Sequence, residues 1–298
     1  MPIVRAFRGF VIKILRRIGG ILLLTTGALF STITLATVFG AIILGAIFFI
    51  YSRGLPSHEE LASYQPKIIS RIYSGKGNII DEFASERRLF AASEEIPDLV
   101  KEAFISAEDK NFYSHVGYDP AGMAAALRDA VVSRGKNVRG ASTITQQVMK
   151  NFLLDGSRSA ERKIKELILA TRLETTLKKE EILELYLNEI FLGQNSYGVA
   201  AAAQTYFNKS LKNLLPEEVA YLAILPKAPS RYHPVRQRER AIRRRNFVLK
   251  EMYENKFLTK IDYEIARKKV LKTVQNKDFQ SFRSTLPKRD YPTDEIRR

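Results

Sequence analysis

Residues 18–51 carry no charged side chain, and a helix that crosses a bilayer needs roughly 20 apolar residues. The stretch is rich in glycine and threonine, so its more apolar half, residues 35–51, is the narrower candidate for the span. Residues 52–67 read as a stalk. Segments 68–73 and 78–83 then flank Ser74-Gly75-Lys76-Gly77, a hairpin pattern with two glycines in its turn. Beyond it, apolar positions recur at helical spacing almost to the end. Helices are predicted over about 97–107, 120–132, 143–154, 160–177, 179–191, 196–206, 216–225, 237–254 and 259–272. Pro97 suits the first turn of its helix, Asp119-Pro120 a cap and first position, and Thr259 with Asp262 a capping box. The tail after 276 has two prolines, many charges and no periodicity, which predicts linker or disorder. No repeat of solenoid period is present. The expected product is mostly α: a helical domain over 85–275, a small β element over 52–84 next to the membrane, and an N-terminal transmembrane helix.

Charge sets the expected orientation. Arg5, Arg8, Lys13, Arg16 and Arg17 precede the apolar stretch and only Arg53 follows it closely. That bias predicts residues 1–17 in the cytoplasm, an anchor over 18–51, and everything later outside. A cleaved leader is the rival reading. The stretch is long for one, and bulky Ile47, Phe48, Phe49, Ile50 and Tyr51 offer no small-residue cleavage pattern. The net charge of +16 points to an anionic partner, and residues 231–298 hold 20 Lys and Arg against 9 Asp and Glu, a run that reads equally as a solvated helix face. With the domain outside, the anion is a membrane surface or a phosphorylated substrate rather than nucleic acid. The chain has no cysteine, so disulfides, thiol nucleophiles and cysteine-ligated metals are excluded. Three histidines (His58, His115, His233) argue against a multi-histidine metal site.

Four segments concentrate functional side chains, and each also has a plain structural reading. The first is Glu108-Asp109-Lys110-Asn111-Phe112-Tyr113-Ser114-His115-Val116-Gly117. A carboxylate closing an apolar helix loses part of its hydration, which raises its pKa and suits proton transfer; an acidic pair there is more often a solvated helix end. The second, Gly140 to Asn151, opens a helix with Ser142, Thr143, Thr145, Gln146 and Gln147, a set suited to binding an anion or simply to capping. In it Gln147 and Asn151 share one face, and Gln146 and Lys150 another. The third is Arg162-Lys163-Ile164-Lys165-Glu166, either a cationic face for a diphosphate or a surface ion pair one helical turn apart. The fourth, Lys179 to Asn188, places Glu184 and Asn188 on one face, with Tyr186 beside them.

Together, in this order, these segments resemble the peptidoglycan glycosyltransferases, glycosyltransferase family 51, found as the N-terminal region of class A penicillin-binding proteins and as monofunctional enzymes. The family patterns Glu-Asp-x-x-Phe-x-x-His-x-Gly, Gly-x-Ser-Thr-x-Thr-Gln-Gln, Arg-Lys-x-x-Glu and Ile-Leu-Glu-x-Tyr-Leu-Asn all stand here unbroken. The likeness runs from the anchor to about residue 255 and includes Arg71-Ile72-Tyr73, Tyr197-Gly198, Tyr206-Phe207 and Leu225-Pro226-Lys227-Ala228-Pro229-Ser230.

The resemblance implies a lysozyme-like, two-lobed domain that polymerises lipid II by an inverting displacement of undecaprenyl diphosphate. It implies Glu108 as the base for the acceptor hydroxyl, shaped by Asp109 and His115, and Glu166 as a second carboxylate near the departing diphosphate. Arg162, Lys163 and Lys150 would neutralise that diphosphate. Ser142, Thr143, Gln147 and Asn151 would hydrogen-bond sugar or phosphate, and Tyr186 and Asn188 would line the cleft and support Glu166. The apolar side chains Met123, Val131, Val132, Met149, Phe152, Leu153 and Leu154 could supply a membrane-touching surface. No cofactor is expected to be bound tightly, though a divalent cation (Mg or Mn) could bridge the substrate diphosphate. Partners would be lipid II, the growing glycan, the cytoplasmic membrane and cell-wall synthesis proteins.

Two positions depart from the family: Ala125 stands where arginine is usual, with Arg128 one turn later, and Phe191 where tyrosine is common. The continuation through Arg243-Arg244-Arg245-Asn246-Phe247 leans toward a truncated bifunctional form over a natural monofunctional one. A glycan hydrolase and an inactive membrane scaffold are the readings from other classes.

Overall fold

The computed structural model describes residues 2–52, 55, 70–73, 79–83, 87–134, 140–153 and 159–279. The chain divides into two compact units, Met1–Leu55 and Pro56–Arg298.

The first unit is a single helix, α1 (Pro2–Ser52). Its basic N-terminal residues and the apolar stretch form one uninterrupted helix, because no proline lies between residues 3 and 52 to break it. Within it, Leu23–Ser52 is long and apolar enough to cross a membrane, with a mean hydropathy of 2.5. The candidate span is therefore wider than residues 35–51. Its threonines remove the obstacle that polar groups pose in hydrocarbon. Thr32, Thr34 and Thr37 each donate their hydroxyl to the carbonyl four residues back, at 2.8–2.9 Å.

The second unit begins with β1 (Ser70–Tyr73) and β2 (Ile79–Phe83), an antiparallel pair with Ser70 opposite Phe83 and a register slip between Ile72 and Tyr73. The turn over 74–78, most of the stalk and the tail from 280 lie outside the described residues. β3 (Arg87–Arg88) runs parallel to β4 (Ser196–Tyr197). The helices are α2 (Asp98–Glu108), α3 (Pro120–Val132), α4 (Ile144–Leu153), α5 (Ala160–Thr176), α6 (Lys179–Glu189), α7 (Val199–Phe207), α8 (Pro216–Leu222), α9 (Arg238–Glu254) and α10 (Lys260–Lys268).

Local chemistry sets their ends. Asp119 accepts the Gly122 N–H at 3.0 Å ahead of Pro120 and starts α3. Ser159 caps α5 through the Arg162 N–H, and Thr259 caps α10 through the Asp262 N–H. Pro97 sits in the cap position just ahead of α2 rather than inside its first turn, and the helix runs one residue further than expected, to Glu108.

The core centres on α8 and the residues after it, Val219 to Leu225, all at most 1% exposed. Around α8 pack α2, α7, α9 and α10, while α4 lies across α5 and α6. Tyr206, Phe207 and Tyr221 form a tight aromatic cluster beside it. The Arg245 side chain is fully buried. It donates to the carbonyls of Lys269 and Arg267 and to the Asn246 side chain, tying α9 to the end of α10. A buried cation is tolerable because its donors find acceptors.

One apolar expectation divides. Met123, Leu127, Val131 and Val132 of α3 are 40–77% exposed, but Met149 is 2% exposed. Met149 lies in the core because α4 turns it inward together with Ile144 and Val148. The side chains of Phe152, Leu153 and Leu154 lie outside what is described.

Candidate active site

Glu108 is the last residue of α2, where the helix stops presenting an apolar face and its carboxyl meets the start of α4. The Gln147 side-chain amide donates to Glu108 Oε2 at 2.9 Å. Burial pushes the Glu108 carboxyl above the usual carboxylate range. The Gln147 hydrogen bond and the charges of Arg244 and Lys227 oppose that rise, and neighbouring Asp109 adds to it. The result is a half-buried carboxylate that holds a proton more tightly than a solvated one yet keeps hydrogen-bonded and ionic support.

Asp109 faces the other way and is buried. Its Oδ2 accepts the His115 Nε2–H at 2.8 Å and the Ile144 backbone N–H at 2.9 Å, so one atom joins the end of α2 to the first turn of α4. The Gly117 N–H points to His115 Nδ1 at 3.2 Å and the Lys179 ammonium to the same atom at 3.5 Å. With Nδ1 accepting, the ring proton sits on Nε2, facing Asp109. Lys179 and Thr145 both donate to Glu174 Oε1 at 2.6 Å. A buried chain of Asp109, His115, Lys179, Glu174 and Thr145 thus fixes the entry to α4. Thr143 completes it by donating its hydroxyl to the Gly117 carbonyl at 2.7 Å.

Across α4, Glu166 of α5 is 3% exposed. Lys163 donates to Glu166 Oε2 at 3.0 Å, to Ser142 Oγ at 2.9 Å and to Gln146 Oε1 at 3.2 Å. Arg162 Nε lies 3.1 Å from Glu166 Oε1 as an ion pair, although the two atoms are out of line for a hydrogen bond. The Arg162–Glu166 spacing is therefore an ion pair with one buried partner rather than a solvated surface pair. Glu166 anchors two cations at the edge of the Gly140–Thr143 segment.

A cavity of about 350 Å³ opens beside Glu108. Its lining brings together Glu108, Asp109, Ser142 and Thr143. Asn111 and Asp119, bonded to each other at 2.8 Å, form another side of it. The wall from α9, made by Arg244, Phe247 and Glu251, was missed in the sequence, where that run was read as helix and as a sign of the bifunctional form but not as part of the site. The i, i+3, i+7 spacing of these three, which puts them on one helical face, was the available signal.

Other predicted site residues go elsewhere. Lys150 and Asn151 are exposed on α4. Arg128, the suggested stand-in for the family arginine, is exposed and paired with Asp129. Asn188 does not support Glu166, whose partners are Arg162 and Lys163. The Asn188 amide accepts the Ala91 N–H and donates to the Ala91 and Glu184 carbonyls, all at 2.9 Å, pinning α6 to the segment before α2. Tyr186 is buried edge-to-face against Phe104, and its hydroxyl, raised well above its usual pKa by burial, lies within electrostatic reach of Glu108 and Asp109. Among the described residues no cluster of three His, Asp or Glu could hold a metal ion.

A family model described as Transglycosylase matches residues 76–253. Penicillin-binding protein 1A of Rickettsia felis is 49% identical over 223 residues, covering 74% of this chain and 28% of the relative. Penicillin-binding protein 1A of Aquifex aeolicus is 43% identical over 246 residues, covering 81% and 33%. A crystal structure of penicillin-binding protein 1A from Haemophilus influenzae aligns over 78% of this chain and 24% of that one, at 28% identity and a TM-score of 0.41. The chain spans between a quarter and a third of the length of these curated relatives.

Proposed function

We propose, from the premise that this chain belongs to the transglycosylase family, that it is a peptidoglycan glycosyltransferase polymerising lipid II into β-1,4-linked glycan. One observation carries the reading. A desolvated carboxylate, Glu108, and a hydroxyl-bearing cation cluster around Glu166 stand on either side of the start of α4.

The chemistry needs those two sides. Glu108 takes the proton from the acceptor sugar 4-hydroxyl as its oxygen attacks C1 of the donor. The C1–O bond to the lipid diphosphate breaks, and the α-linked donor becomes a β-linked product in one inverting step. The diphosphate leaves with the bonding pair, and Arg162 and Lys163 neutralise it, joined by Lys150 once substrate is bound. Glu166 holds Arg162 and Lys163 in position. Asp109 and His115 hold the end of α2 and the start of α4 in register. Ser142, Gln147 and the exposed Asn151 offer hydrogen bonds to sugar or phosphate, Thr143 holds the start of α4 in place through Gly117, and Tyr186 packs within electrostatic reach of Glu108. A magnesium or manganese ion would arrive on the diphosphate itself, and none of these steps is assigned to it.

The finer architecture goes with this reading. The domain over 85–275 is lysozyme-like and two-lobed, with the hairpin beside the membrane. α1 is a single-pass anchor in the cytoplasmic membrane, N-terminus inside and catalytic domain outside. The exposed apolar face of α3 meets lipid, and cell-wall synthesis proteins are the partners.

Gln147 gives a pH test. Its donor stabilises the ionised form of Glu108, so Gln147→Ala raises the Glu108 pKa further. The acid limb of the kcat/KM profile is expected to move to higher pH in this variant. An unmoved limb, or one moved to lower pH, counts against Glu108 as the titrating base. A glycan hydrolase with the same pair of carboxylates is separated by incubation with purified, lipid-free peptidoglycan. No soluble fragments are expected, and their release would replace the transferase reading.

A further inference from the structure

We propose that the α9 wall of the cavity, Arg244 with Phe247, is the subsite that holds the acceptor sugar against Glu108. This rests on the transferase reading above.

The two adjacent arginines of α9 are used differently. Arg245 is buried and donates to two backbone carbonyls and a side chain. The Nε of Arg244 is also buried, yet it has no hydrogen-bond partner among the described residues. Its guanidinium is stacked on the Phe247 ring at 4.5 Å, and both side chains line the cavity that contains Glu108. Stacking fixes the guanidinium at the cavity wall, where its charge already acts on Glu108, so a ligand entering beside Glu108 meets a planar, pre-oriented donor. Phe247 is 43% exposed and offers an apolar face of the kind a sugar ring packs against.

The nature of the ligand follows from the rest of the lining. Glu108, Asp119 and Glu251 line the same space, with Arg244 and Lys110 as its only cations among the described residues and Lys110 lying 4.0 Å from Glu251, and carboxylates in that majority disfavour a diphosphate. They suit a neutral sugar, whose hydroxyls donate to carboxylates while a hydroxyl or acetamido oxygen accepts from Arg244. The cations set for a diphosphate are Arg162 and Lys163, held by Glu166. Donor and acceptor are thereby assigned to opposite sides of the α4 entry, and Arg244 presents the acceptor hydroxyl to Glu108.

The test is a single-coupling assay on the full chain in detergent. The donor is a lipid-diphosphate disaccharide with its 4-hydroxyl methylated. The separate acceptor is a C-glycoside analogue of the same disaccharide, which cannot donate. Arg244→Ala is expected to raise the acceptor KM about tenfold or more, the loss of one charge-assisted hydrogen bond, with donor KM and Tm little changed. Phe247→Ala should raise the acceptor KM less, and Arg162→Ala should raise the donor KM instead. Arg244→Gln keeps most of the packing and gives the reading if the alanine variant does not fold. An unchanged acceptor KM, a raised donor KM in the Arg244 variants, or loss of folding in both of them overturns the proposal. If the wild-type chain couples nothing, the transferase reading itself fails.

Discussion

Glu108→Gln is expected to lower lipid II polymerisation by about 10²–10⁴-fold, the usual contribution of a positioned general base, without unfolding the chain. Glutamine keeps the size of the side chain and can still bond Gln147, which now donates to an amide oxygen in place of a carboxylate. What it cannot do is take the acceptor proton. The same substitution should make the protein slightly more stable at neutral pH. Burial raises the Glu108 pKa in the folded state, so the folded chain binds this proton more tightly than the unfolded one. The stabilisation from that proton is fully present below the unfolded carboxylate pKa and disappears as pH rises through the folded value. Above that value the charged group is a net cost, and the amide removes it. Thermal melts should therefore show a higher Tm for the variant at neutral pH and a difference that closes on acidification. A variant that polymerises like the wild type removes Glu108 from the chemistry, and one that melts far lower assigns it to the fold.

Gly117→Ala should be among the most damaging single substitutions in the helical unit. Gly117 has φ +89, and a Cβ there would lie 2.7 Å from the Ala170 carbonyl carbon and oxygen and 2.8 Å from the Thr171 nitrogen. The left-handed backbone alone costs a side-chain-bearing residue about 1–2 kcal/mol. The clash is with backbone of α5, which cannot turn aside as a side-chain tip would. A total of about 4 kcal/mol places it in the severe class, a drop in Tm of about 8–16 °C for a domain of this size. Activity should fall with it, because the Gly117 carbonyl accepts Thr143 Oγ1 and its N–H faces His115. Gly117 is thus a backbone joint between the Glu108 segment and α4. A melting temperature within two or three degrees of wild type would contradict this.

How much of this was legible depended on where each signal lived. Helix positions were readable because α3, α5 and α10 carry their own caps, Asp119, Ser159 and Thr259. The Glu108 environment was readable in outline, since an apolar helix ending in a carboxylate implies desolvation. The functions of Asn188 and Met149 were not. Asn188 closes its hydrogen bonds with Ala91, 97 positions earlier in the chain, and no local pattern announces so distant a partner. Met149 is placed by the packing of α4 on α5 and α6, which decides its face more than its own type does. The split between Arg244 and Arg245 is of the same kind. The two are neighbours in sequence, yet 100° of helical rotation sends one to the α10 carbonyls and the other to the cavity.

The most direct measurement is turnover of purified lipid II by the full chain in detergent, followed by release of the lipid diphosphate and by growth of glycan. Polymers of β-1,4-linked disaccharide, formed by the wild type and absent with Glu108→Gln, are the expected result. Intact lipid II after prolonged incubation with the folded wild-type chain, or equal polymer from both proteins, would contradict it.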